Sequence, residues 1–252
     1  MQSKMTEEPE KENVSESNRS PGHVAIILDG NRRFARRLML KPWMGHEWGK
    51  QKVGKLLEWC SELGIRELSL YAFSVENFNR PKDEFDYIMK LFRAACEELK
   101  SDSMLQEKGK HLGIRVKFLG RLGMFPGDVQ ELMRELMEKT AGNTGLAVNF
   151  CMAYGGRQEI TDAARSLASD VAAGKISPKD INDETLKRYL YTADEPDLII
   201  RTGGEQRLSG FLLYQSSYSE LFFVSKMWPE FEKEDLVGII EEFKQRNRRF
   251  GR

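Results

Sequence analysis

The chain has 252 residues, of which 40% are hydrophobic, and this is enough apolar material for the core of one α/β domain or of two small ones. Its 39 basic and 39 acidic residues give a formal net charge of zero, which argues against a general nucleic-acid-binding protein, because that class carries a basic excess. Its three cysteines are widely separated, which argues against a disulfide scaffold, and no apolar run approaches the ~20 residues of a membrane helix.

The amino-terminal segment differs in composition from the rest of the chain. Its first 20 residues are rich in Glu, Ser and Asn and contain no apolar run. We therefore predict a disordered tail over residues 1–20 rather than a signal peptide, and a cytoplasmic location. Residues 21–252 show neither an internal repeat nor a linker, so they are predicted to form one domain.

Strand and helix patterns alternate along this domain. Continuous apolar runs predict buried strands, in chain order, at residues 23–28, 67–73, 114–119, 146–151 and 198–200, with further short strands at 211–213 and 221–224. Apolar residues at helical spacing predict helices at 32–38, 47–63, 82–107, 128–140, from 157 onward, and at 232–246. The alternation predicts an α/β fold, in which helices flank a mostly parallel central sheet.

Polar clusters follow three of the predicted strands, over residues 29–33, 74–80 and 201–207. The carboxyl ends of parallel strands lie along one edge of a sheet, so these clusters are expected to meet there. Several arginines suit a diphosphate, since guanidinium binds phosphate oxygens bidentately, and a single carboxylate beside phosphates suits Mg²⁺. Apolar helix faces beneath such a rim suit the tail of an amphiphilic substrate.

Each of these residues also has an ordinary structural interpretation. Asp29 could cap the following helix, and His46 alone could be a structural hydrogen-bonding residue. Arg201 could be the partner of an internal carboxylate, and Glu220 could pair with a nearby arginine. The context of the other motifs favours function for the first three, and metal binding only slightly for Glu220.

Nine segments, in order along the chain, resemble the signatures of the cis-prenyltransferases, the family of the undecaprenyl and dehydrodolichyl diphosphate synthases. Arg32 and Phe34 resemble the archaeal and eukaryotic members rather than the bacterial ones. The resemblance extends over residues 21–252, and several long motifs in order are far more specific than one short pattern. The matching segments are residues 23–34, 45–46, 71–81, 141–145, 197–205, 207–209, 220–222, 228–229 and 249–251.

The resemblance implies an enzyme that condenses isopentenyl diphosphate with an allylic prenyl diphosphate of the farnesyl or geranylgeranyl type. The expected product is a Z-polyprenyl diphosphate, formed by Mg²⁺-assisted ionisation, condensation and elimination. The resemblance further implies an apolar tunnel for the growing tail and a homodimer. It implies, at most, peripheral membrane contact through the product, and the zero net charge argues against a nucleic-acid partner.

The resemblance also implies roles for individual residues. Asp29 matches a residue that engages Mg²⁺ and helps the allylic diphosphate to leave, and Glu220 matches a metal-associated glutamate. Asn77 matches a position proposed to assist proton removal; because an amide is a poor base, we expect it to position groups or relay a proton. The expected substrate-binding residues are Gly30, Asn31, Arg32, Arg33, Phe34, Lys41, His46, Ser74, Val75, Glu76, Phe78, Arg80, Arg201, Arg207, Leu208, Ser209, Arg249 and Gly251.

The chain departs from the family pattern at further positions. Gln206 stands where bacterial members place a metal-associated histidine, and Ala153 replaces an asparagine. Pro42 occupies a position usually held by a phosphate-binding arginine, and Lys41 is the basic residue beside it. The departure at Pro42 bears on substrate choice.

The sequence also bears on three other functions, of which it disfavours two. A non-catalytic subunit of a two-subunit prenyltransferase is disfavoured, because Asp29, Asn77, Arg201 and Arg249 coexist in this chain. A trans-prenyltransferase is disfavoured, because those enzymes are all-helical and use Asp-rich metal motifs. Prenyl transfer to another acceptor, including the irregular joining of two prenyl units, stays open.

Overall fold

Six strands form one sheet in the computed structural model, which describes residues 20–101 and 113–246. The strand order is β3-β4-β2-β1-β5-β6, and every neighbouring pair is parallel. The strands are β1 His23–Ile27, β2 Glu67–Ser74, β3 Arg115–Leu119, β4 Ala147–Tyr154, β5 Leu198–Arg201 and β6 Glu220–Phe223. The prediction of a mostly parallel sheet is therefore confirmed, and within the described residues the sheet is entirely parallel.

Helices cover both faces of this sheet. They are α1 Asn31–Arg37, α2 Gly45–Glu62, α3 Lys82–Ser101, α4 Gly127–Thr140, α5 Gly156–Ala172, α6 Asp183–Lys187 and α7 Lys233–Gln245. Short 3₁₀ helices occupy Pro42–Met44, Val75–Asn79, Leu122–Met124, Pro178–Asp180 and Trp228–Glu230. The helix predicted over 82–107 is described as far as Ser101.

Strand β1 shows why its sequence is apolar without alternation. Val24 and Ile26 belong to the larger core, whereas Ala25 and Ile27 belong to a smaller core on the other face. Both faces of the strand are buried, so every position from Val24 to Ile27 is apolar. The larger core continues into α2, α3, α4 and α7.

One predicted strand is wrong. Residues 211–213 lie in a turn against the smaller core, where Phe211 and Leu212 are fully buried. Ser209, Gly210 and Leu212 have φ angles of 52°, 87° and 44°, which no strand accommodates. The apolar run therefore reflects burial of a turn, and not strand pairing.

Several predictions fall outside the described residues: the tail over residues 1–19 and the closing positions Arg249 and Gly251. Within residues 20–101 and 113–246, none of the helices has the length and apolar character that a bilayer span requires.

Candidate active site

The three predicted polar clusters meet at the carboxyl edge of the sheet, beside two neighbouring cavities. β1 and β5 are adjacent, with Ile27 level with Arg201, and β2 pairs with β1 on its other side. Eleven of the predicted site residues line one or both cavities: Asp29, Gly30, Asn31, Arg32, Arg33, His46, Ser74, Asn77, Arg80, Arg201 and Ser209.

A buried arginine connects two of the clusters. Arg201 is 4% exposed, and its Nη2 donates to Asp29 Oδ2 at 2.9 Å. Its Nη1 donates to Ser209 Oγ at 2.8 Å and to the carbonyl of Arg207. Arg201 is thus the partner of a carboxylate, and that carboxylate is the partly exposed Asp29. Such charge-assisted bonds fix the orientation of both side chains.

The turn after β1 holds Asp29 in place from the other side. Gly30 N donates to Asp29 Oδ1 at 2.6 Å, and Arg33 Nη2 lies 3.4 Å from the same oxygen. The N-cap of α1 is Gly30, with no side-chain capping bond, so helix capping does not explain Asp29. Gly30 has a φ of 107°, and a Cβ there would come within 2.8 Å of Met227 Cβ. This turn therefore requires glycine.

Basic side chains line the smaller cavity, of about 270 Å³, which we call the cationic cavity. Its lining includes the four arginines Arg32, Arg33, Arg36 and Arg80, with Asp29 as its carboxylate. Arg36 was not among the predicted site residues. The signal was present in the sequence, since residues four apart in a helix share a face and Arg36 follows Arg32 by four. This arrangement suits a polyanion such as a diphosphate.

A buried carboxylate organises two of these arginines. The Glu84 side chain is 1% exposed, receives a hydrogen bond from Arg80 and lies 3.6 Å from Arg32 Nη2. Sequence reasoning missed Glu84, although the i,i+4 spacing from Arg80 indicates the pair. Because Glu84 offsets part of the positive charge, it allows both guanidiniums to remain close together.

His46 lies against the same arginines, with its Nε2 3.3 Å from Arg80 Nη1. Burial, together with the charges of Arg80 and Arg32, lowers the pKa of His46 from 6.5 to about 4. The imidazole is therefore neutral at pH 7 in the ligand-free site. As pH falls from about 6.5 towards 4, the unfolded chain takes up this proton first, so this group's contribution to folding stability is lost over that window.

We expect a bound diphosphate to raise the pKa of His46, because the anion offsets the arginine charges. His46 should then take up close to one proton when the ligand binds at about pH 5.5. This pH lies between the pKa of about 4 in the ligand-free site and the ordinary value of 6.5. Calorimetric titration with inorganic diphosphate, in two buffers of different ionisation enthalpy, measures this uptake. His46→Gln should lower the measured uptake by close to one proton, because the protons that diphosphate itself exchanges are the same in both proteins. An uptake that is unchanged in the variant would contradict this assignment.

The second polar cluster forms a 3₁₀ turn after β2. Asn77 Oδ1 accepts from Ser74 N at 3.0 Å, in a capping box that fixes Ser74 and Asn77 together at the cavity wall. Phe78 packs instead against Phe73 and Phe125, with ring centroids 5.1 and 5.2 Å apart. Phe78 therefore supports the turn from the core side. Val75 and Glu76 do not line either cavity.

Other predicted residues lie away from these cavities. Phe34 packs edge-to-face on Trp48, at a centroid distance of 5.9 Å. Lys41 is exposed, and its Nζ lies 5.4 Å above the ring of Trp43. Neither side chain lines the cationic cavity, and Arg36 lines it instead.

Arg207, the last residue of the third cluster, and the adjacent Leu208 also lie outside the cavities. Arg207 Nη1 donates to Glu205 Oε2 at 2.5 Å, and Glu205 Oε1 lies 3.7 Å from Arg33 Nη1. Arg207 therefore reaches the rim through Glu205. Leu208 packs against the smaller core.

Glu220 lies at the amino ends of the parallel strands, whereas Asp29 lies at their carboxyl ends. It is the first residue of β6 and is level with Leu198, the first residue of β5. Its Oε2 accepts from Arg246 Nη1 at 2.9 Å. The structure thus shows the arginine pair that the sequence left as the alternative to a metal role.

The side chains around the cationic cavity offer few oxygen ligands for a divalent metal ion. Among the described residues, no cluster of three His, Cys, Asp or Glu side chains is arranged to hold an ion. Of the carboxylates among the described residues, Asp29 lines the cationic cavity, and its side chain is partly exposed. One carboxylate fits Mg²⁺, which usually completes its shell with water and substrate phosphates.

The larger cavity, of about 450 Å³, extends between α2, α3 and the sheet. It shares five wall residues with the cationic cavity: Leu28, Asp29, Asn31, His46 and Arg80. Beyond these, its lining is mostly apolar and includes Val53, Leu57, Ile88, Leu91, Phe92, Ala95, Leu99, Phe118 and Phe150. A polar head pocket therefore opens into an apolar cavity, as an amphiphilic ligand requires.

Known proteins are similar to this chain in sequence and in fold. Residues 27–251 match the family described as "Putative undecaprenyl diphosphate synthase". The chain is 51% identical over 234 residues to the tritrans,polycis-undecaprenyl-diphosphate synthase (geranylgeranyl-diphosphate specific) of Thermococcus kodakarensis, and this covers 92% of the chain and 87% of that protein.

Two solved structures share the fold. Lavandulyl diphosphate synthase from Lavandula x intermedia, in complex with dimethylallyl diphosphate, has a TM-score of 0.86 and 33% identity over 94% of this chain and 100% of that one. A probable undecaprenyl diphosphate synthase from Campylobacter jejuni has a TM-score of 0.75 and 34% identity over 93% and 100%. The chain therefore belongs to the cis-prenyltransferase (undecaprenyl diphosphate synthase) family, and it is a prenyltransferase that condenses isopentenyl diphosphate with an allylic diphosphate.

Proposed function

We propose that this chain extends geranylgeranyl diphosphate with successive isopentenyl diphosphate units to give a Z-polyprenyl diphosphate. The observation that carries the proposal is the shared wall between the cationic and apolar cavities. That wall lets one ligand place a diphosphate among the arginines and a hydrocarbon tail between α2 and α3. The choice of a geranylgeranyl primer is supported by the name of the Thermococcus relative.

The allylic diphosphate is assigned to the cationic cavity. Negative charge grows on this leaving group as its bond to the allylic carbon breaks. Arg32, Arg33, Arg36 and Arg80 are fixed opposite that charge and stabilise it more in the transition state than in the ground state. Mg²⁺, held by Asp29 and the phosphate oxygens, would add further charge stabilisation.

Isopentenyl diphosphate is assigned to the rim formed by Arg201, Ser209 and Arg207. There its double bond attacks the allylic carbon, and a proton is then lost from the new cation. Ser74 and Asn77 line the cavity wall and are assigned to position the reacting groups. The apolar walls exclude water, which would otherwise capture the allylic cation.

The growing tail is assigned to the apolar cavity. Ala95→Phe fills part of that cavity, so we expect shorter products with the first condensation retained, measured by chromatography of radiolabelled, dephosphorylated products. Ala94 is exposed on the same helix, and Ala94→Phe is the matched control, with wild-type product lengths. Identical product lengths in both variants would exclude this cavity as the tail site.

We also infer a homodimer, which the family resemblance supports. β6 is an edge strand, and Leu221 and Phe223 on it are each 37% exposed. Exposed apolar residues on a sheet edge favour pairing with another chain. Sedimentation equilibrium at micromolar concentration should give the mass of a dimer, and a monomer mass would refute this assembly.

A further inference from the structure

The chain exposes two apolar side chains directly after α1. Leu38 is 46% exposed and Met39 is 96% exposed. Scattered exposed apolar residues are common, but two adjacent ones at a loop tip form a small protruding apolar surface. We call residues 36–43, which run from the last two residues of α1 through this tip into the 3₁₀ helix at Pro42–Met44, the α1–α2 loop.

The backbone of this loop presents Met39 outward in a conformation that favours glycine. Met39 has a φ of 60°, in the left-handed region. Met39 N donates to Arg36 O at 3.0 Å and Leu40 N donates to Ala35 O at 2.9 Å, the hydrogen-bond pattern of a glycine-type helix end. Glycine would fit this position without strain, so folding does not explain a methionine there.

Basic residues flank the apolar tip on both sides. Arg36 and Lys41 are exposed, and within residues 20–101 and 113–246 neither forms an ion pair. Arg37 is paired with Glu230 at 2.5 Å. Trp43 lies beneath Lys41 at 5.4 Å and is half-buried, a residue type enriched where proteins meet the lipid headgroup layer. An apolar tip with a basic border complements an anionic lipid surface.

We propose that the α1–α2 loop docks this enzyme reversibly on anionic membranes, with Leu38 and Met39 entering the headgroup layer. Arg36 belongs to the loop and also lines the cationic cavity. Docking therefore brings the entrance of the head pocket to the lipid surface, where a long-chain amphiphile resides. Each basic residue near an anionic surface adds roughly fivefold to the affinity, so two such residues and a small apolar tip give weak, salt-sensitive binding.

A single labelled cysteine tests insertion directly. The native cysteines Cys60, Cys96 and Cys151 are buried, so Met39→Cys can be labelled selectively with an environment-sensitive fluorophore. With vesicles of mixed phosphatidylglycerol and phosphatidylcholine, we expect a blue-shifted emission that high salt reverses. Met124→Cys is the control, because Met124 is 42% exposed in another part of the molecule and should show no shift.

An unlabelled variant separates docking from folding. Met39→Gly suits the left-handed backbone, so its melting temperature should equal or exceed that of the wild type. Its partition coefficient on the same anionic vesicles should fall about tenfold, the loss expected when one apolar side chain no longer leaves water.

Three results would overturn the proposal: no vesicle binding by the wild type, equal binding by Met39→Gly, or equal binding to vesicles of phosphatidylcholine alone. If the wild type did not bind vesicles, the remaining occupant to test for this surface would be a protein partner. None of these measurements depends on catalysis, so they stand apart from the tests of the proposed function.

Discussion

Asp29→Asn is expected to lower the turnover number by about 10³-fold, the order of loss seen when one group that stabilises transition-state charge is removed. The amide keeps the shape of the carboxylate but loses its charge, so it no longer balances Arg201 at 2.9 Å and is a poor ligand for Mg²⁺. The measurement is single-turnover formation of the first condensation product at saturating Mg²⁺. This assay separates chemistry from product release.

The control for this variant is Asp128→Asn. Asp128 is also bound to an arginine, with Arg93 Nε 2.6 Å from Oδ2, but it is exposed and lines neither cavity. Its turnover should match that of the wild type. If Asp29→Asn retained turnover within tenfold, Asp29 would be a structural residue and the proposed role would fail.

Arg201→Gln is expected to reduce kcat/KM for isopentenyl diphosphate by about 10²-fold, mostly through a higher KM. Arg201 places charge-assisted bonds on Asp29, Ser209 and the Arg207 carbonyl, so its loss loosens the rim assigned to this substrate. The measurement is steady-state kinetics with each substrate varied in turn. The KM for the allylic substrate should change much less, because its diphosphate is assigned to the other arginines.

The matched control is Arg121→Gln. Arg121 forms a bidentate pair with Asp162, with Nε and Nη2 donating at 2.8 and 2.9 Å, and it lines neither cavity. Near-wild-type KM values are expected for both substrates. A rise in the allylic KM of Arg201→Gln, with the isopentenyl KM unchanged, would mean that the two diphosphate assignments are reversed.

The sequence predicted the sheet well because buried parallel strands have a strong signature. β1 and β4 are buried along their whole length, so their positions follow from apolar runs that few polar residues interrupt. The turn around Phe211 has the same signature for a different reason, since it is buried without forming a ladder. Only its left-handed residues distinguish it, and Ser209 and Leu212 do not reveal such angles in sequence.

The candidate site was predictable where it follows strand ends. Asp29 follows the end of β1 and Arg201 ends the neighbouring β5, and the adjacency of these strands brings them together. Glu84 and Arg36 were missed because their roles depend on which helix face meets the cavity. The position of Glu220 could not be foreseen either, since it depends on whether β6 runs parallel to β5.

We propose that this protein alone builds a long prenyl diphosphate from a single primer. The most direct test is to incubate purified wild-type protein with radiolabelled isopentenyl diphosphate and geranylgeranyl diphosphate, with and without Mg²⁺. A parallel reaction contains dimethylallyl diphosphate alone. We expect an Mg²⁺-dependent ladder of products that differ by one isoprene unit, and no product from dimethylallyl diphosphate alone. The absence of a ladder, or a product made only from two allylic units, would contradict it.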